Sequence, residues 1–301
     1  MTSTAGGRQG FAVGMLLLSG LMWGTTWLPL KHFAASGLTG LTMTLCTYGL
    51  IGVIGLPFIF RERRQWMQQW RLLLGAAVFG GMANACFVTA LMYGEVSRAM
   101  LLFYLTPLWG ILGGRIFLGE TVSAGRAAAG ALAIAGAVLV LGGPQTLLTP
   151  PHLLDILAVG AGIFYTSQNL CARGADRIPV ATKTFAAFVG CGAVSALLLP
   201  IAGHAFPDIS ALLALQLGLF AVLWLTGAMW TQTYGVTHLE AGRTAVLTIF
   251  ELVAAVVTAL WIGGERLPAI GWVGAALIVT AALIEARPTT PDITPKKEVP
   301  A

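Results

Sequence analysis

Few residues of this chain could do chemistry, and the costliest of them electrostatically is Glu251. It stands in the run Leu247-Thr248-Ile249-Phe250-Glu251-Leu252-Val253, and it is the one carboxylate in the middle of a long apolar stretch. Hydrocarbon does not solvate such a group, so it must face a polar interior, pair with a cation or take up a proton. Two functions fit it: a proton-coupling site, or the partner of a ligand amine. The purely structural alternative is a neutral Glu hydrogen-bonded between helices.

Neutral polar and aromatic residues form the rest of the candidate set. Trp23 and Trp27 are four residues apart and share a helix face, with Thr26 beside them. They suit an aromatic wall for a flat ligand, although Trp27 also fits an interfacial belt. Asn84 sits mid-run, where its amide must find a partner in a neighbouring helix or a ligand. Tyr165, Gln168 and Asn169 follow the i, i+3, i+4 pattern and make one polar face. Tyr104 and Pro107 share a face, and Pro107 frees a carbonyl one turn back, as a hinge or as a static kink. Trp224, with Trp230, adds aromatic surface. Rings, amides and one carboxylate describe a binding cavity better than a catalytic centre. His32, His152, His204 and His238 lie near the ends of apolar runs, unrelated by spacing. Neither a metal-ligand pair nor a nucleophile motif nor a phosphate-binding loop is present, so the reading is a non-enzyme without cofactor or metal. A channel would need a continuous polar stripe, which the runs lack.

The elements that must position these residues are set by composition. The chain has 301 residues, 57% hydrophobic and 10% charged, with a mean hydropathy of +0.83. Soluble domains carry about 25% charged residues, so lipid is the solvent for most of this surface. Each membrane crossing needs about 20 apolar residues. The pattern predicts spans at 11–31, 38–60, 71–93, 98–118, 124–142, 153–173, 182–203, 211–233, 242–263 and 269–286. The fold class is therefore all-α, with ten transmembrane helices. Cys46, Cys86, Cys171 and Cys191 fall inside these runs and read as small buried hydrophobes. The first run is too long for a cleaved signal sequence.

Charge fixes the expected topology. With the N-terminus in the cytoplasm, the inside segments hold 14 Lys and Arg, from Arg8 to Lys297, and the outside only Lys31, Arg98 and Arg266. This is a positive-inside pattern, and it places both termini inside. Basic residues spread between apolar runs are topology signals rather than a nucleic-acid patch. Trp66 and Trp70, beside the cytoplasmic Arg cluster, read as interfacial anchors, as do Trp261 and Trp272. Residues 1–10 form a short cytoplasmic lead, and 287–301 a Pro-, Thr- and charge-rich tail with the composition of a disordered segment.

A weak repeat divides the chain. Arg98, Pro107 and Gly119-Glu120 match Arg243, Leu252 and Gly264-Glu265 at a constant offset of 145. Each set follows a Tyr-Gly pair, Tyr93-Gly94 or Tyr234-Gly235, and precedes a Gly/Ala-rich helix (Gly125, Gly130, Gly136; Gly271, Gly274). Segments 11–142 and 153–286 thus hold five helices each. An odd unit inserts its second copy upside down, a transporter design with the site at the repeat interface near the midplane.

These features resemble the drug/metabolite transporter superfamily, specifically its ten-helix EamA-type exporters. The resemblance is carried by Trp23-Gly24-Thr25-Thr26-Trp27, Tyr104-Leu105-Thr106-Pro107, Gly119-Glu120, Phe250-Glu251-Leu252 and Gly264-Glu265. Within that family the chain looks most like the bacterial aromatic amino-acid exporters. It departs at Leu252, where the second half of the family often has proline, so helix 9 has no proline to kink it. The resemblance implies export of small metabolites across the inner membrane, with aromatic or hydrophobic amino acids as expected substrates. Purines and cationic drugs are the alternatives. A fused pair of repeats needs no partner, so a monomer in lipid is expected.

Overall fold

Each apolar run becomes one helical rod, because in hydrocarbon a segment must satisfy its own backbone N–H and C=O groups. The computed structural model describes residues 2–38, 40–93, 96–143, 148, 152–202, 209–262 and 268–286. Among these residues the elements are helical and no strand occurs. Rod α1 comprises Thr2–Thr25 and Trp27–Ala34, α2 is Gly40–Arg61, and α3 is Trp70–Tyr93. Rod α4 comprises Val96–Phe103 and Thr106–Leu118, and α5 is Ala124–Val140. In the second half, α6 is Leu153–Gly174 and α7 is Val180–Leu198. Rod α8 runs through Ala211–Leu219, a π-helical Phe220–Leu225 and Thr226–His238. Rod α9 comprises Ala241–Thr248 and Phe250–Trp261, and α10 is Ala269–Ala286.

Among the described residues, seven helical stretches are long and apolar enough to cross a membrane. Rods α5 and α10 are apolar but shorter, while α6 has the length but carries a polar face. Rod α1 begins at Thr2, upstream of the expected span, and α8 continues to His238. The segments 263–267 and 287–301, with Gly264-Glu265, Arg266 and the tail, lie outside the described residues, as does His204.

The packing pattern carries the repeat. Rod α1 packs on α8 and α9, while α6 packs on α3 and α4; α2 packs on α7, α4 on α9, and α5 on α10. Exchanging rods 1–5 for rods 6–10 turns this set of contacts into itself. The halves are therefore two inverted five-helix repeats, and each buries its apolar faces against the other. Consecutive rods are antiparallel, so both ends of the described chain lie on one side, called here the terminal face.

One repeat contact is a weld. A Cβ at Gly136 of α5 would lie 2.7 Å from the Gly274 carbonyl of α10, and one at Gly274 would lie 2.6 Å from the Gly136 carbonyl. Only glycine permits that approach, and small residues are how membrane helices reach it. The Gly/Ala enrichment of these rods lets their backbones pack closely.

The breaks lie elsewhere. Rod α4 is interrupted at Tyr104-Leu105, and Pro107 falls in the first turn of the following segment, where its missing N–H costs little. Rod α9 is interrupted at Ile249, one repeat offset of 145 after Tyr104. It breaks without proline: Ile249 N–H bonds the Val246 carbonyl (3.2 Å) and Leu252 N–H the Ile249 carbonyl (2.9 Å), both three residues back. The absence of proline at 252 therefore does not remove the symmetry of α4 and α9. Rod α1 pauses at Thr26, whose Oγ1 donates to the Met22 carbonyl at 2.7 Å.

Candidate functional site

The interruptions of α1, α4 and α9 meet at one cavity of about 520 Å³ between the repeats. Its walls are largely apolar and aromatic. Phe87 and Phe103 pack at 4.5 Å between ring centroids, and Phe103 also touches Tyr165 at 5.4 Å. The lining reaches Leu30, Gly40 and Leu91, near the face opposite the termini. In the other direction it stops at Gln168 and Gln232, each six residues short of its helix end at Gly174 or His238. Among the described residues no Lys, Arg or His lines it, and the one charged side chain in the lining is Glu251.

Three groups of polar residues face this space. In the first, Tyr104 Oη donates to Glu251 Oε1 at 2.9 Å, joining the broken segments of α4 and α9. In the second, Trp23 Nε1 donates to Gln232 Oε1 at 2.8 Å, and Gln232 Nε2 donates to Tyr165 Oη. In the third, Thr44 Oγ1 donates to Asn84 Oδ1 at 3.1 Å, which leaves the Asn84 NH₂ for other partners. Nearer the opposite face, Trp27 Nε1 donates to Thr258 Oγ1 at 3.0 Å. Gly24 explains the close fit of α1: a Cβ there would lie 2.5 Å from the Glu251 carbonyl oxygen. The Trp-Gly-Thr-Thr-Trp run thus presses its glycine onto the backbone beside the carboxylate.

Below the floor, toward the terminal face, polar and charged side chains pack together. A second chamber, of about 10 Å³, is lined by Gln168, Asn169, Gln232, Thr233 and Lys183. This is about the space of one water molecule. The Lys183 ammonium is buried and donates to the Ala172 and Ala175 carbonyls at 2.9 and 3.0 Å, capping the end of α6. Nearer the terminal face, Glu120 accepts from the Ala241 N–H at 2.8 Å and lies 3.6 Å from Arg173 Nε. Arg173 Nη1 donates to the Thr237 carbonyl at 2.8 Å, and Arg126 pairs with Glu240. The contacts of Glu120 with Ala241 and Arg173 and of Arg126 with Glu240 cross between repeats, while Arg173 to Thr237 joins α6 and α8 within the second. Burial pushes the Glu120 carboxyl above its ordinary value, against the pull of the Ala241 N–H and Arg173. At the surface, the Gln69 amide holds Asp176 below the usual carboxylate range.

The EamA-like transporter family model matches residues 10–142 and again residues 152–285. The chain belongs to the EamA-like transporter family. This transporter is 26% identical, over 89% of its length and 94% of the relative's, to an uncharacterized transporter of Archaeoglobus fulgidus. A protein crystal structure shares the fold at a TM-score of 0.73 and 20% identity, covering 91% of this chain and 96% of the other.

The transporter's cavity gathers most of the side chains singled out from sequence. Trp23, Thr26, Trp27, Asn84, Tyr104, Tyr165, Gln168 and Glu251 line it. Asn169 does not: it faces the small lower chamber. Nor does Trp224, whose Nε1 donates to the Met22 carbonyl and to Thr26 Oγ1, both at 3.1 Å, bracing the pause in α1. Pro107 is buried in the first turn after the break rather than in the lining. Sequence reasoning passed over Gln232, Thr44 and Tyr48, which do line the space. Gln232 had a visible signal, an amide deep in an apolar run. Among the described residues no group of three His, Cys, Asp or Glu gathers that could hold a metal ion.

Proposed function

We propose that this transporter exports small metabolites with an amine and an apolar body, foremost aromatic and hydrophobic amino acids, across the inner membrane by alternating access. The observation that carries the reading is a single carboxylate, Glu251, held by Tyr104 at the end of a cavity walled by aromatic rings. A carboxylate binds an ammonium, and a volume of about 520 Å³ falls within the range of small-molecule sites. Trp23, Thr26, Trp27, Asn84, Tyr165 and Gln168 would contact the ligand. With both termini cytoplasmic, as the distribution of Lys and Arg favours, the cavity opens outward and the Glu120–Arg173 and Arg126–Glu240 layer closes the cytoplasmic side. A monomer would suffice, because the site lies between repeats of one chain.

A second reading is an exporter of cationic drugs, favoured by a lining that, among the described residues, has a carboxylate and no basic side chain. The test is uptake into liposomes of labelled tryptophan, phenylalanine and leucine, with purine and quaternary-amine competitors, with and without a proton gradient. Saturable aromatic amino-acid uptake, lost in Trp23→Ala and Tyr165→Ala, is expected. Uptake of the quaternary amine alone would select the second reading.

A further inference from the structure

The chain Trp23–Gln232–Tyr165 crosses the repeats, joining α1, α8 and α6 at the cavity floor. Its first member fixes the polarity of the others. An indole N–H can only donate. The Gln232 carbonyl oxygen must therefore face Trp23, and its NH₂ must face Tyr165. An amide that would otherwise be free to flip has one allowed orientation here. The Tyr165 oxygen then accepts, and its single hydrogen must go elsewhere. Within reach are the Asn169 amide, the Thr248 hydroxyl and, electrostatically, the Glu251 carboxylate. The Thr248 hydroxyl already donates to the Thr244 carbonyl at 2.9 Å, so it offers only its oxygen. A ligand carboxylate outcompetes such neutral acceptors, because charge-assisted hydrogen bonds are about twice as strong.

We propose that Gln232 is a positioning residue: oriented by Trp23, it keeps the Tyr165 hydroxyl a donor beside Glu251, and so selects ligands that carry an anionic acceptor next to an amine. An α-amino acid has that pair of groups on one carbon. Glu251 takes the ammonium and Tyr165 gives its hydrogen to the carboxylate. The proposal rests on the reading of the cavity as an amino-acid site, and it adds a residue and a rule of selection.

The test uses the reconstituted full chain with two labelled probes, tryptophan and tryptamine, which differ by the carboxylate. In Trp23→Phe the wall keeps its ring but Gln232 loses its orienting donor. Its carbonyl can then turn and take the Tyr165 hydrogen. The KM for tryptophan is expected to rise about tenfold more than the KM for tryptamine, because only tryptophan carries the carboxylate that Tyr165 serves. Adding Gln232→Leu removes the competing acceptor and should recover about half of that loss on a logarithmic scale. Recovery by a second substitution is what a packing role does not produce. Equal losses for both probes, or a double variant no better than Trp23→Phe, would overturn the proposal. If the wild type carries neither probe, the substrate reading fails by itself. The positioning claim is then decided without ligand by the ¹⁵N–H resonance of the Trp23 indole. A shift in Gln232→Leu supports it, and an unmoved resonance overturns it.

Discussion

The cavity floor and the terminal-face layer both tie the two repeats together, but with different chemistry. The floor uses Trp, Gln, Tyr and one carboxylate around open space. The layer uses Glu120, Arg126, Arg173 and Glu240. In low dielectric an ion pair is expensive to form and expensive to break singly, which suits a closure. Hydrogen bonds to neutral groups cost less to exchange for a ligand's. On the function proposed above, binding belongs to the floor and closing to the layer.

That assignment can be broken in order of expected effect. Glu251→Gln should lower kcat/KM for an aromatic amino acid about a hundredfold and abolish stimulation by a proton gradient, in liposome uptake. Undiminished proton stimulation in that variant would remove Glu251 from coupling. Tyr104→Phe deprives Glu251 of its protein donor and should cost about tenfold in the same assay. Arg173→Gln loosens the layer without touching the cavity. Its expected result is a threefold faster reaction of a Thr233→Cys thiol with reagent added from the terminal side, and a KM unchanged within twofold. A changed KM would mean that the layer takes part in binding.

The smallest effect is a pH dependence at Glu120. Burial raises its carboxyl, so in the window just above the ordinary value of 4.5 the folded state binds more protons than the unfolded chain. Stability from this group is present below that window and lost as pH rises through it. The melting temperature of wild type minus that of Glu120→Gln should therefore increase as pH falls from 7 toward 4.5. A difference that shrinks instead would mean that the pull of Arg173 outweighs burial.

Apolar helices separated by charge were readable because a membrane demands them, and Tyr165 with Gln168 was readable because helical spacing puts both on one face. The interruption at Ile249 was not, since no proline marks it and a local bond three residues back produces it; the pause at Thr26 is followed by Pro29, a signal that went unused. Trp224 lies in the π-helical Phe220–Leu225, and its indole braces α1 at Met22 and Thr26 rather than lining the cavity, a placement with no signal in the sequence. Gln232 was passed over because its neighbours Thr231 and Thr233 blur any polar stripe, and only the partner Trp23 shows what it does.

The central claim is that the inter-repeat cavity is the substrate site and opens to the face opposite the termini. Val88 lines it. The direct measurement places Val88→Cys in a background without the four native cysteines, in oriented vesicles, and adds an impermeant thiol reagent from each side. The account predicts labelling from the face opposite the termini, slowed by saturating tryptophan. Labelling from the terminal face alone, or labelling that none of the aromatic amino acids slows, would contradict it.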